Sequence, residues 1–165
     1  MPAPLRLRRG RVADAPALAG VMRAAVRGLA RGCSPRQLAA WSSLPPLYHA
    51  WAMTAGGESY LVATRGGAVV AYGARRGGEV TAVFVRPRAA RRGIGAALVA
   101  RLEREAAREG VRTLRVRAAR SAIPFYAAIG FRGGRALSVP LPGAARLPGR
   151  LLTKRLGVTA GRTGA

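Results

Sequence analysis

The 165-residue chain reads as an α/β protein, a mixed β-sheet with helices packed on both faces. Three observations carry that reading. Half the residues are apolar but only 5% are aromatic, so the core is built mainly from Ala, Val, Leu and Ile. It is large enough for one domain over residues 1–156, with 157–165 left as a frayed tail. Three alternating segments between residues 59 and 86 are separated by the pairs Gly66-Gly67 and Gly77-Gly78, a hairpin signature. The third segment then leads through a long amphipathic helix into another alternating segment, a unit that joins parallel strands.

The elements follow in order. Residues 5–9 alternate apolar and basic side chains and predict a strand. Asp14 is placed to cap a helix with Pro16 in its first turn. Leu18, Val21, Met22, Ala25, Val26 and Leu29 form one apolar face of that helix, and Gly32 ends it. Ser34-Pro35 starts a second helix holding Leu38 and Trp41. The stretch 44–55 contains Pro45-Pro46 and receives no assignment. Strands are expected over 59–64, 68–74 and 79–86. Ile94, Leu98, Leu102 and Ala106 recur four apart in a helix over 93–109, which Gly110 terminates. In the strand 111–118, Leu114, Val116 and Ala118 point one way, and Thr113, Arg115 and Arg117 the other. Ser121 caps a short helix ending at Gly130. A strand over 131–139, a Pro- and Gly-rich loop over 140–149 and a strand over 150–156 complete the chain. The expected order is strand, two helices, three strands, helix, strand, helix, two strands.

Lys and Arg number 29 against 6 Asp and Glu, giving a formal net charge of +23, and Lys154 is the only lysine. The balance excludes an acidic solvating chain. It suits non-specific nucleic-acid binding, but arginine without lysine, beside abundant Ala and Gly, equally suits a GC-rich coding genome. The single Cys33 cannot close an intramolecular disulfide, so a reduced cytoplasm is the expected compartment. Apolar runs such as 93–100 fall far short of the ~20 residues that span a bilayer, so no membrane association is expected.

The most informative segment runs from Val83 to Leu98. A strand ends at Pro87, and Gly93 and Gly95 then open a helix behind Arg91 and Arg92. Arginines at a helix start oppose the macrodipole, as do Glu103, Glu105 and Glu109 toward the other end. The reversed polarity makes sense if an anion occupies the helix start, where backbone N–H groups bind phosphate and glycine lets a ligand approach. No Lys-Ser/Thr follows, so this is not a Walker loop, and a third spaced glycine is missing for a dinucleotide fingerprint.

This string resembles the acetyl-coenzyme A loop of the GNAT superfamily of N-acetyltransferases, Val-x-Pro followed by Arg/Gln-x-x-Gly-x-Gly/Ala. The Arg or Gln position of that pattern is Ala90 here. Ala122-Ile123-Pro124-Phe125-Tyr126 followed by Gly130-Phe131 resembles the family's second motif, with Ala119 where an Asn is often found. Residues 26–31 and Trp41 are similar to a bacterial subgroup of uncharacterised substrate. The resemblance covers roughly residues 5–156.

The resemblance implies a direct transfer from acetyl-coenzyme A to a primary amine, with no metal. Backbone N–H groups of Arg91, Arg92, Gly93, Ile94, Gly95 and Ala96 would hold the pyrophosphate. The strand bearing Val83, Phe84 and Val85 would splay from its neighbour and pair with the pantetheine arm, the Val85 N–H meeting the acetyl carbonyl. Tyr126 would protonate the departing thiolate. The base is narrowed by the scarcity of acids. Asp14 is a cap, and Glu103, Glu105 and Glu109 are partners for arginines such as Arg101. Glu58 and Glu79 remain, and Glu79 stands at about the offset where some family members carry a base. His49, the only histidine, and a water chain stay open as alternatives. Trp41, Tyr48 and Trp51 read as packing near the acceptor site, and Cys33 has no partner for a covalent role.

The resemblance implies an acceptor that is a small-molecule amine or a protein N-terminus. A +23 surface disfavours polycations and tolerates anionic amines such as amino acids. A homodimer is left open. Two other classes compete: a nucleic-acid-binding basic protein, and a coenzyme A sensor without turnover. Sparse stacking aromatics and arginines spread along every element weigh against the first.

Overall fold

The computed structural model describes residues 1–29 and 32–157. Its seven strands are β1 (Leu5–Arg9), β2 (Ser59–Arg65), β3 (Ala68–Arg76), β4 (Glu79–Val85), β5 (Thr113–Ala119), β6 (Ala136–Pro140) and β7 (Arg146–Arg155). They form one sheet in the order β1-β2-β3-β4-β5-β7-β6. Every pairing is antiparallel except β4 with β5, as the strand–helix–strand reading requires.

Alternation along the strands sorts side chains to two faces. Leu61, Ala63 and Ala71 face α4 (Ile94–Arg108), where Ile94, Leu98, Leu102 and Ala106 are all buried. Tyr60, Val62 and Tyr72 face the other way, against α1 (Ala15–Arg27) and α3 (Pro46–Thr54). The helix α2 (Pro35–Trp41) packs beside α1, and α5 (Ile123–Ala128) lies on the α4 side against β5 and β7. Two cores therefore sandwich β1–β4, whereas β5, β7 and β6 are covered on the α4 side and, on the other face, only near the hairpin turn, where α2 reaches β7.

Several boundaries differ from the sequence reading. The first helix ends at Arg27 rather than running through Leu29 to Gly32, and Ala30 and Arg31 lie outside the described residues. Its N-cap Asp14 does not bond the helix. The carboxylate instead accepts two 2.8 Å bonds from the Arg8 guanidinium and one from the Arg11 N–H. Ser34 does cap α2, in a capping box with Gln37. The unassigned stretch 44–55 is the helix α3. Its N-cap is Pro45, so no polar start signal marks it, and it buries His49 and Ala52 against the sheet.

The last strand starts at Arg146, not Arg150, and takes in Pro148 from the expected loop. Pro148 pairs with Ser138 but lies beyond Ala119, the last β5 residue in register with β7. At that point β7 has only one neighbour, which is where a sheet tolerates proline. Conversely, the strand expected from Phe131 begins only at Ala136. Phe131 is buried under α5, and Gly133-Gly134 separates it from the hairpin. Residues 158–165, most of the expected tail, lie outside the described residues.

Candidate active site

The parallel pair β4 and β5 is in register only at Glu79 with Arg115 and Val80 with Val116. Beyond Val80 the β4 edge has no strand beside it, although β4 continues to Val85 and β5 to Ala119. A bulge marks the parting. Ala74 pairs with Ala82 and Arg75 with Val80, so Thr81 has no partner on β3.

The ladder fixes which polar groups face this cleft. The Arg86 N–H donates to Val70 O at 2.9 Å, toward β3. Successive residues of an antiparallel strand alternate, so Phe84 also turns its N–H and C=O to β3. The N–H groups of Val83 and Val85 then point into the cleft. Phe84 contributes a side chain on the other face, 5.6 Å from the Tyr72 ring and 6.1 Å from Trp41.

From Val85 the chain makes a tight turn over Pro87–Ala89 and enters α4. Arg91 (φ 58) and Gly93 (φ 75) both adopt the left-handed conformation. For Arg91 this is strain that a regular loop would avoid. The first backbone bond of α4 runs from Ala97 to Gly93, so the N–H groups of Ile94, Gly95 and Ala96 have no acceptor within the helix. No side chain caps this end, and its first turn holds no acid. The result is a concave set of free N–H donors at the mouth of the cleft.

The two glycines differ in their reasons. Gly93 needs its positive φ, and a Cβ there would meet nothing within 4 Å. A Cβ on Gly95 would stand 3.1 Å from the Phe125 ring and 3.7 Å from Val85. Gly95 therefore serves close packing of α4 against α5, where the sequence suggested ligand approach alone.

Tyr126 comes from the β5 side of the cleft. It is 5% exposed, with Phe125 and Phe131 edge-on at 4.9 and 5.4 Å. Burial pushes its phenol above the ordinary value of 10, so it is protonated at neutral pH.

The six acids are all engaged. Glu103 meets Lys154 at 2.8 Å, Glu105 meets Arg101 at 3.0 Å, and Glu109 meets the buried Arg75. Glu58 is buried at the end of α3, accepting from the Thr81 hydroxyl and from Arg76, both at 3.0 Å. Glu79 stands on the first of the two paired rungs, one residue before the strands part after Val80, 3.4 Å from Arg117 and 3.7 Å from Arg115. His49 is 1% exposed, walled by Tyr48, Tyr60 and Tyr72, with Nδ1 3.3 Å from the Tyr60 hydroxyl. Desolvation lowers its pKa to about 4, so it is neutral at pH 7. Trp41 packs on Phe84, and Trp51 is half exposed beside Tyr48. Sequence reasoning missed the Thr81–Glu58 contact, because a bulge leaves no mark in a strand pattern. Among the described residues no group of acids, His and Cys could hold a metal ion, and no helix is long and apolar enough to cross a membrane.

Comparison with known proteins agrees with this geometry. The model of the acetyltransferase (GNAT) domain matches residues 30–135. No curated protein sequence is significantly similar to the chain. Among solved structures, a GCN5-related N-acetyltransferase from Rhodopseudomonas palustris superposes with a TM-score of 0.85 at 26% identity, covering 94% of this chain and 98% of that one. A ribosomal-protein-alanine N-acetyltransferase from Brucella melitensis gives 0.67 at 26% identity, covering 92% and 99%. The PaiA N-acetyltransferase from Thermoplasma acidophilum, solved with coenzyme A, gives 0.73 at 16% identity, covering 92% and 99%. With more than half its length matched by the family model, the chain belongs to the GNAT acetyltransferase family.

Proposed function

We propose that the protein is an N-acetyltransferase that moves the acetyl group of acetyl-coenzyme A to a primary amine by direct attack in a ternary complex. The observation that carries this reading is one continuous cleft wall. The inward N–H groups of Val83 and Val85 run straight into the uncapped start of α4. That is a hydrogen-bonding edge for an extended amide arm ending in donors for a pyrophosphate.

Acetyl-coenzyme A supplies an activated thioester. Arg91, Arg92, Gly93, Ile94, Gly95 and Ala96 hold its phosphates by backbone N–H groups, with the two arginines adding charge. The Val85 N–H polarises the acetyl carbonyl. Phe84 walls the cleft with its ring, its backbone being committed to β3. Tyr126, protonated at neutral pH, gives its proton to the departing thiolate. Glu79, one rung before β4 and β5 part, takes the proton of the incoming ammonium directly or through water. Glu58 is the other carboxylate in reach of β4, through Thr81, whereas His49 is enclosed by tyrosines and too weakly basic for that work. On this reading residues 1–156 are one catalytic domain working in the cytoplasm on a small amine or a protein N-terminus.

The test is thiol release from acetyl-coenzyme A over an amine panel. Tyr126→Phe should lower kcat by about 10²-fold or more, the usual worth of a positioned acid. Glu79→Gln should lower kcat/KM by about 10²-fold or more, the usual worth of a positioned base. Turnover by no amine, with no thermal shift on adding coenzyme A, sinks the proposal. A shift without turnover, unchanged in Tyr126→Phe, leaves the non-catalytic sensor instead.

A further inference from the structure

On the face of β5, β7 and β6 turned away from α4, the stretch around Arg115, Arg117 and Leu151 stays open, whereas Leu147 nearer the hairpin turn is buried, where α2 reaches β7. Arg117 pairs across to Leu151 and Arg115 to Thr153, so these side chains share that face. Arg115, Arg117 and Leu151, with Arg135, Leu137 and Ser138, line an open cavity of about 420 Å³. That is within the range of small-molecule sites. Its floor is apolar, Leu137 and Leu151, and its rim is cationic.

The charges there are not balanced. Glu79 is the one carboxylate in contact with the arginines of this cavity among the described residues, against three guanidiniums. Its contacts of 3.4 and 3.7 Å exceed the ~2.7–3.2 Å of a good hydrogen bond. Arg115 and Arg117 stay 61% and 55% exposed, with donors to spare. Elsewhere in the molecule the pairs are closed: Arg8 grips Asp14 with two bonds of 2.8 Å, and Lys154 holds Glu103 at 2.8 Å.

The position matters as much as the charge. One residue past the last paired rung, Arg117 stands level with Thr81, where β4 and β5 begin to part. Val83 and its cleft-facing N–H lie two residues further, about 7 Å at strand rise. Across the cavity the β6–β7 hairpin is tied to α2 by Gln37 Nε2 donating to Arg146 O at 2.8 Å. The basic face is therefore fixed beside the cleft.

We propose that this cavity anchors the acetyl acceptor, and that the acceptor is a small amine carrying a carboxylate, an amino-acid-like molecule held by Arg117 and Arg135. A carboxylate matches the planar fork of a guanidinium, and the apolar floor takes the carbon chain between the two ends. This rests on the acetyltransferase reading and names its substrate class.

The experiment compares thiol release with glycine, β-alanine and 4-aminobutyrate, each beside its neutral amide, with spermidine, and with a short peptide bearing a free N-terminus and an amidated C-terminus. At least one acid should exceed its own amide tenfold in kcat/KM, and exceed spermidine and the peptide. Arg117→Gln, with Arg135→Gln as an independent second variant, should collapse the acid-to-amide ratio toward one. Turnover in which amides, spermidine or the peptide match the acids overturns this inference and leaves the acetyltransferase standing. An acid preference that survives both arginine variants overturns the assigned cavity. No thiol release with any acceptor, and no thermal shift with coenzyme A, overturns both.

Discussion

The two halves of one sheet face have opposite fates. On β1–β4 that face lies under α1 and α3, and its side chains Tyr60, Val62 and Tyr72 are buried there with Phe84 partly buried beside them. On β5, β7 and β6 the same face is open over the stretch that carries Arg115, Arg117, Leu137 and Leu151. Polar groups in the covered half are consumed by structure: Glu58 takes Thr81 and Arg76, and His49 turns to Tyr60. Those in the bare half keep free donors. A uniformly basic composition thus acquires local meaning only from what covers it.

The sharpest way to break this contrast is to truncate one large side chain in each half. Tyr72 is 1% exposed and stacks on Tyr60 at 5.7 Å. Tyr72→Ala should cost about 3–5 kcal/mol in urea unfolding. Leu137→Ala on the open face should cost roughly 0.5 kcal/mol. Equal losses would mean that the bare face is covered in solution, as a homodimer would cover it, and sedimentation would then show the second copy.

The sequence revealed the periodic parts of this arrangement and little of the rest. Alternation of Leu114, Val116 and Ala118 with Thr113, Arg115 and Arg117 already put the arginines on one face, because strand geometry fixes it. The cleft loop was visible because Pro87, Gly93 and Gly95 each restrict backbone geometry in a way few other residues do. The helix α3 was hidden by Pro45-Pro46 and the lack of a polar cap; its stability comes from burying His49 and Ala52. The early start of β7 was hidden because Pro148 breaks a strand pattern in sequence but not where β7 has outrun β5. Elimination among six acids leaves Glu58 and Glu79, and only the family resemblance favours Glu79, whose two arginine partners sit on another strand and needed the register to be seen.

A second test uses pH, since the covered half holds a buried imidazole and the bare half none. His49 has a folded pKa of about 4 against 6.5 when exposed. The unfolded chain therefore binds the proton first as pH falls. Stability from this group is complete above pH 6.5, declines between 6.5 and 4, and is constant below that. The loss should be roughly 2–3 kcal/mol across that window. His49→Gln should remove this part of the dependence, measured by urea midpoints from pH 7 to 4.5. An unchanged slope in the variant would show that the imidazole is not desolvated, and that the covered half is more open than its packing indicates.

The smallest expected effect lies at the seam between the halves, where α4 from the β4 side meets α5 from the β5 side. Gly95→Ala gains helix propensity worth up to about 1 kcal/mol. The new Cβ would stand 3.1 Å from the Phe125 ring, so the ring must give way. These terms oppose each other, and the net change in stability should stay within about 1 kcal/mol. The displacement is transmitted to the α4 start and to Tyr126, which neighbours Phe125 at 4.9 Å. KM for acetyl-coenzyme A should rise a few-fold while the urea midpoint hardly moves. Phe125→Leu in the same chain should restore KM by making room. If Gly95→Ala instead stabilises by the full propensity gain and leaves KM unchanged, the seam is slack, and the cleft width is set by the splay of β4 and β5 alone.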